Sequence, residues 1–245
     1  RRHARGRWRR MLPGRRLMDE KGKEGVPLNA LVVAIDGPAG AGKSTVAKLA
    51  AKALGYTYID TGAMYRAVAW KALQQKAPVT DALILSVVKD IDVRLSYHDG
   101  VTHVFVNGDE ATDYIRTPEV SRIVSQVAAL GPVREKMVEL QRAMAEEGGV
   151  LMDGRDIGTH VLPQADVKIF LTASIEERAQ RRYREMRENG YDVELAKLQE
   201  DIAARDKADS ERAISPLVQA ADAVLLDTTG LSIEQVVEKI LGMCR

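Results

Sequence analysis

Apolar residues in this chain fall into short runs separated by longer stretches of helical spacing. The first run, residues 31–35 (LVVAI), ends in Asp36 and a glycine-rich turn. A brief apolar run bounded by turn signals suits a strand buried on both faces. Residues 44–54 then repeat with helical spacing, 56–59 reads as a second strand and 61–74 as a second helix. Similar apolar runs occur at 150–152, 167–171 and 224–226, each flanked by helical or turn sequence. Five short strands alternating with helices predict an α/β fold with a mostly parallel sheet covered on both faces.

Two regions break this rhythm. Residues 91–105 alternate in the manner of antiparallel strands, with Asp99-Gly100 as a hairpin turn. They predict an insertion over about 80–115, forming a lobe above one side of the sheet. Residues 175–209 are rich in Arg, Glu and Lys, with helical spacing on either side of Asn189-Gly190. Most of these charges fit a solvated helix pair laced by i,i+4 ion pairs.

Composition narrows the classes. Aromatic residues make up 4% of the 245 residues, too few for a base-stacking platform. The single cysteine, Cys244, excludes a disulfide framework and a cysteine-built zinc site. No apolar run approaches the length of a membrane span. The formal net charge of +1 hides an asymmetry: residues 1–28 hold ten Arg or Lys against three Asp or Glu, so the remainder is acidic. The head, RRHARGRWRR, lacks a signal-peptide apolar run, and Met11 and Met18 stand just before the folded region. Residues 1–28 are expected to be a disordered, dispensable basic extension and 29–245 the functional domain, with no nucleic-acid partner.

The strongest chemical signal is Gly37-Pro38-Ala39-Gly40-Ala41-Gly42-Lys43-Ser44, followed by Thr45. It matches GxxxxGK[ST] between a strand pattern and a helix pattern, the P-loop arrangement. Glycines let successive backbone N–H groups wrap phosphate oxygens, and the helix start adds unpaired N–H groups and a positive dipole end. Lys43 is placed to follow the β- and γ-phosphates and Ser44 to bind Mg²⁺. A dinucleotide fingerprint starting at Gly40 would need Gly where Thr45 stands, and no NKxD guanine-reading segment occurs. ATP is therefore the favoured donor.

Two further segments end strands in acidic and basic residues. In Asp60-Thr61-Gly62-Ala63-Met64-Tyr65-Arg66, Thr61 is placed to cap the next helix and Arg66 lies further along it. Asp153-Gly154-Arg155-Asp156 repeats the arrangement, with Asp153 suited to a metal's water and Arg155 to a phosphate. The weaker alternative makes Arg66 and Arg155 ordinary surface arginines and Asp153 a helix cap. Arg205, Asp209 and Arg212 share a helical face, which by itself reads first as a salt-bridged surface.

Taken together, IDGPAGAGKST (35–45), DTGAMYR (60–66), SQVAALGPVR (125–134), DGRDIGT (153–159), ARDKADSERAISPL (204–217) and DTTGLS (227–232) closely resemble the bacterial cytidylate kinase family. The resemblance covers about residues 31–241. It implies a P-loop NTPase fold with an acceptor-side insertion and a short lid at about 175–195. It also implies a cytoplasmic enzyme, expected as a monomer, that uses ATP and Mg²⁺ to convert CMP or dCMP to the diphosphate. By the same resemblance, Arg66, Arg155 and Arg212 hold the acceptor phosphate. Ser125, Arg134 and Asp156 read cytosine, Arg205 and Asp209 contact the sugar, Thr61 lies beside the acceptor, Ser44 and Asp153 hold the metal, and Arg181 and Arg184 belong to the lid. Only the basic head is unusual for the family.

The chemistry needs no dedicated general base, because the acceptor phosphate oxygen is already anionic and the problem is alignment and charge neutralisation. Kinase action on another small acceptor, including UMP or a nucleoside, is the nearest alternative. A P-loop regulatory or nucleic-acid-binding ATPase is the alternative from another class, supported only by the basic head.

Overall fold

A computed structural model describes residues 30–98 and 101–245, preceded by a two-residue antiparallel pairing of Leu17–Met18 with Glu24–Gly25. The rest of the basic head and the Asp99-Gly100 turn lie outside the described residues. In the order of the chain, the elements are β1 (Val32–Asp36), α1 (Lys43–Leu54), β2 (Thr57–Asp60), α2 (Thr61–Leu73) and α3 (Asp81–Lys89). Then come β3 (Val93–His98), β4 (Val101–Val106), β5 (Asp109–Glu110), α4 (Pro118–Ala129), α5 (Gly131–Ala145) and β6 (Val150–Gly154). After a single π-helical turn (Ile157–Val161) follow β7 (Val167–Thr172), α6 (Ile175–Glu188), α7 (Leu195–Glu211), β8 (Val224–Asp227) and α8 (Ile233–Met243).

The main sheet runs β8-β7-β1-β6-β2, and every neighbouring pair is parallel. Period-two alternation divides β1 between two cores. Val33 and Ile35 face α1 and α8, packing with Val46, Ala50, Leu151, Leu171 and Ile240, while Ala34 faces the other layer with Met152, Val138 and Ile157. Both faces are covered, so the strands read as continuous apolar runs rather than alternating ones. Burying one large aliphatic side chain contributes about 1.5–3 kcal/mol, so these layers dominate the stability of the domain.

The second lobe has its own core. Helices α2 to α5 and the antiparallel strands β3, β4 and β5 enclose Val68, Ile84, Val93, Val106, Ile115, Val127 and Met137. The strand-like alternation read over 91–105 is the hairpin β3–β4, but the region opens with a helix, α3, capped by Thr80. A third, small core of Ala179, Leu198 and Ile202 holds α6 against α7, the helix pair expected from the charged stretch. Its break is at Asn189 and at Gly190, whose φ is 82°.

One local expectation fails. Asp60, not Thr61, caps α2: its carboxylate accepts from the Ala63 N–H at 2.8 Å. A carboxylate is a strong cap for the positive end of a helix, and taking this position moves Thr61 into the first turn. The Thr61 hydroxyl instead donates to the Asp153 carbonyl at 2.7 Å, tying the start of α2 to β6.

Candidate active site

The carboxyl ends of β1, β2 and β6 lie side by side, in the register Asp36–Gly154, Ile35–Asp153 and Asp60–Asp153. β1 is flanked by β6 and β7, and the crevice beyond such a reversal of strand order is where open α/β sheets bind ligands. A cleft of about 1040 Å³ opens there. Twelve basic and six acidic residues line it, an excess that suits a polyanion.

The donor end is one continuous loop. Gly37 adopts φ 148°, and a Cβ there would stand 1.9 Å from the Leu171 carbonyl oxygen, so β7 admits only glycine beside it. Gly42, at φ 87°, turns the loop into α1 with its N–H groups unpaired toward the cleft. Ala39 to Thr45 line the cleft, whereas Gly37 and Pro38 lie behind it. Their carbonyls accept from the Lys43 ammonium at 2.7 and 2.8 Å. Burial, and then the nearby Arg155 guanidinium, hold Lys43 well below the ordinary lysine range, with Asp153 and Asp36 opposing them. A buried cation among cations gains most from an arriving phosphate chain.

Asp153 sits at the centre. Its Oδ2 accepts from the Ser44 hydroxyl at 3.1 Å and its Oδ1 from the Tyr58 phenol at 2.7 Å. Burial, and then the Asp60 charge, push its carboxyl above the ordinary value, and Lys43 opposes them. This pair of oxygen donors fits Mg²⁺, which takes one or two carboxylates and completes its shell with water and substrate phosphate. No group of three or more His, Cys, Asp or Glu suited to a protein-only metal cage occurs among the described residues.

The acceptor end is a set of ion pairs drawn from separate elements. Asp60 accepts from Arg66 Nη2 at 3.1 Å and from Arg116 Nη2 at 3.2 Å. Burial pushes Asp60 up, but Arg66, Arg116 and the Ala63 N–H outweigh it and the carboxyl stands below its usual value. Arg155 Nε donates to Asp209 Oδ2 at 2.9 Å. Arg134 and Asp156 form a close ion pair whose side chains are only 3% and 6% exposed, and Arg212 Nη2 approaches the other Asp156 oxygen at 3.7 Å. The Arg134 guanidinium also lies 5.5 Å over the Tyr65 ring. Ser125, from α4, lines the same end of the cleft. Burial and then Arg155 push Arg205 down to about 10. The Nε atoms of Arg66, Arg134 and Arg205 are buried with no hydrogen-bond partner.

Asp36 supports this end from below. Its two oxygens accept from the Ile157 and Gly158 N–H groups, each at 2.8 Å, fixing the turn that follows Arg155 and Asp156. Burial raises its carboxyl to about 6.

Arginines in α6 divide by face. Arg181, Arg182 and Arg184 line the cleft. Arg181 is stitched to Thr228 through its hydroxyl at 3.2 Å and its carbonyl at 2.9 Å. Arg178 is buried, donating to the carbonyls of Ala39 and Ala173 and pairing with Asp206 at 2.6 Å. It braces the P-loop. Apart from Gly37 and Pro38, the residues expected from the sequence all line this cleft, whereas Tyr58, Asp60, Arg116 and Arg178, which hold its side chains in place, were not among them. Asp60 lay within a segment already singled out; the others carry no local signal.

A glycine loop between the central strand and a helix, joined through one cleft to a ring of arginines, defines a P-loop phosphotransferase. The cytidylate kinase family model matches residues 33–245, so the chain belongs to the cytidylate kinase family. It is 56% identical over 212 residues to cytidylate kinases from Bacillus thuringiensis (strain Al Hakam) and Bacillus cereus (strain AH187), covering 86% of this chain and 94% of each relative. Shikimate kinase from Acinetobacter baumannii, a solved structure, aligns at 17% identity with a TM-score of 0.42, covering 87% of this chain and 92% of that one. That likeness is too distant to bear on function. No helix among the described residues is long and apolar enough to cross a membrane.

Proposed function

We propose that the cleft aligns ATP and CMP for direct transfer between their phosphates, with the residue roles set out below. The chain is an ATP-dependent kinase that moves the γ-phosphate of ATP onto CMP or dCMP, giving ADP and CDP or dCDP. The observation that carries the role assignment is that a P-loop and the buried Arg134–Asp156 pair open into the same cleft.

At the donor end the loop N–H groups from Ala39 to Thr45 cradle the phosphate chain, and Lys43 leaves its two carbonyl partners to follow it. Ser44 and Asp153 hold Mg²⁺, which when bound neutralises phosphate charge. At the acceptor end Arg66, Arg155 and Arg212 grip the CMP phosphate, and Thr61 sits beside it. Arg134 supplies donors and Asp156 acceptors to the edge of cytosine, with Ser125 alongside. Arg205 and Asp209 reach the sugar.

An acceptor phosphate oxygen forms its bond to the γ-phosphorus as the bond to the β,γ-bridging oxygen breaks, and ADP carries away the electron pair. No proton has to be removed from the nucleophile, so positioning and charge neutralisation do the catalytic work. Arg181 and Arg184, in the lid, place positive charge against the transferred group, and closure excludes water that would otherwise hydrolyse ATP.

A panel of CMP, dCMP, UMP, AMP and shikimate with ATP and Mg²⁺ tests the assignment. CDP and dCDP should form fastest. Equal turnover of AMP or shikimate would show that the Arg134–Asp156 pair does not read the base.

A further inference from the structure

We propose that Tyr58 is a positioning residue for phosphoryl transfer: its phenol locks the Asp153 carboxylate in the orientation that presents it, with Ser44, to the divalent cation accompanying ATP. This rests on the reading of Ser44 and Asp153 as the cation-holding pair.

The register of the sheet creates the contact. Tyr58 pairs with Leu151 and Asp60 with Asp153, so Tyr58 stands diagonally across from Asp153. Residues two apart in a strand share a face, and a diagonal neighbour is within reach of a tyrosine but not of a short side chain. The shared face is the one covered by α1, the helix that delivers Ser44.

Each Asp153 oxygen thereby receives one hydroxyl from a different element, Tyr58 at 2.7 Å from β2 and Ser44 at 3.1 Å from α1. Two donors on opposite oxygens fix the plane of the carboxylate, and each oxygen keeps a second lone pair for the cation or its water. The ring is itself immobilised. It is 1% exposed, the Tyr97 ring meets it nearly edge-on at 5.7 Å, and the Lys48 ammonium lies 5.7 Å from its centre. Packing alone would be satisfied by phenylalanine; the buried hydroxyl acts on Asp153. Outer groups that orient a metal's ligands are worth about 10–100-fold in metal affinity or activity.

The test uses the full chain with Tyr58→Phe. The Mg²⁺ concentration giving half-maximal turnover should rise about 10-fold while KM for CMP stays near that of the wild type. Mn²⁺ binding to the enzyme–ATP complex, read without turnover from the free-Mn²⁺ electron paramagnetic resonance signal, should weaken by the same factor. Unchanged Mg²⁺ requirement and Mn²⁺ binding would overturn the proposal, as would a loss confined to KM for CMP. If Tyr58→Phe does not fold, 4-fluorophenylalanine at position 58 fills the hydroxyl's space without a donor, and the same two readings decide. Asp153→Asn separates the parent reading: it should abolish Mn²⁺ binding beyond that of ATP alone. Retained binding there removes Asp153 from the cation site and this proposal with it. Lost binding in Asp153→Asn beside wild-type binding in Tyr58→Phe overturns only the role of Tyr58.

Discussion

The two ends of the cleft are built on different principles. The donor end of the proposed scheme is nine consecutive residues that offer backbone N–H groups, and its one long side chain rests on carbonyls of its own loop. The acceptor end takes arginines and carboxylates from the end of β2, α2, the loop before α4, α5, α7 and the turn after β6, and pairs residues of different elements. A backbone cradle holds any polyphosphate and cannot read a base. In the proposed scheme selectivity therefore falls to the end made of side chains, where Arg66, Arg116, Arg134, Arg155 and Arg212 are each paired with a carboxylate before any substrate arrives. Such pairs keep buried charges compensated.

The largest effect should come from the donor end. Lys43→Ala should lower CDP formation by about 1000-fold while the fold survives, because charge stabilisation at the transferred phosphate is lost and no core contact is. Lys43→Arg should not restore it, since a broad guanidinium does not fit where a compact ammonium sits. Steady-state rates beside circular dichroism decide the matter. Near wild-type turnover in Lys43→Ala would remove the P-loop from the mechanism.

Next, Arg134→Ala or Asp156→Ala should weaken CMP binding by about 2–5 kcal/mol with ATP binding little changed. Each single change strands a buried charge, so the double variant should cost less than the two singles added. Calorimetric titrations of all four proteins complete the cycle. Additive losses would mean that the acceptor end is a collection of independent contacts, like the donor end, and not a network.

Asp36 underlies both ends, and its pH dependence has a definite sign. Burial raises the carboxyl from 3.8 to about 6 in the folded chain. Between those values the unfolded chain has lost the proton and the folded chain keeps it, so this group's contribution to stability declines as pH rises from about 4 to about 6. The full change is about 3 kcal/mol. Asp36→Asn cannot titrate, so its stability relative to wild type should climb over that window in urea melts. A pH-independent offset would show that Asp36 is ionised in the folded chain throughout.

The smallest effect concerns the lobe itself. Saturating CMP should slow amide hydrogen exchange over 80–115, and ATP alone should not. Equal protection by either nucleotide would mean that the lobe does not belong to the acceptor end.

Local structure was legible because it is decided within a few residues. The five sheet strands, α1 and α2 begin and end within two residues of the positions read from apolar runs and turn residues, and the P-loop follows from glycines between a strand and a helix. The one local failure, Thr61 in place of Asp60 as the cap, came from two adjacent residues that both accept a backbone hydrogen bond. Which charged group meets which was not readable, because it depends on register and helix packing over long separations. Arg155 meets Asp209 54 residues away, and Arg178 meets the carbonyl of Ala39 139 residues away. The sequence by itself determined a glycine loop of P-loop pattern at residues 37–45 between a strand and a helix. Only the tertiary structure decided that Arg178 braces the loop, that Arg66 and Arg116 share Asp60, and that Tyr58 reaches Asp153. A backbone cradle is specified by the φ and ψ preferences of neighbouring residues, whereas an ion pair is specified by where two distant segments come to rest.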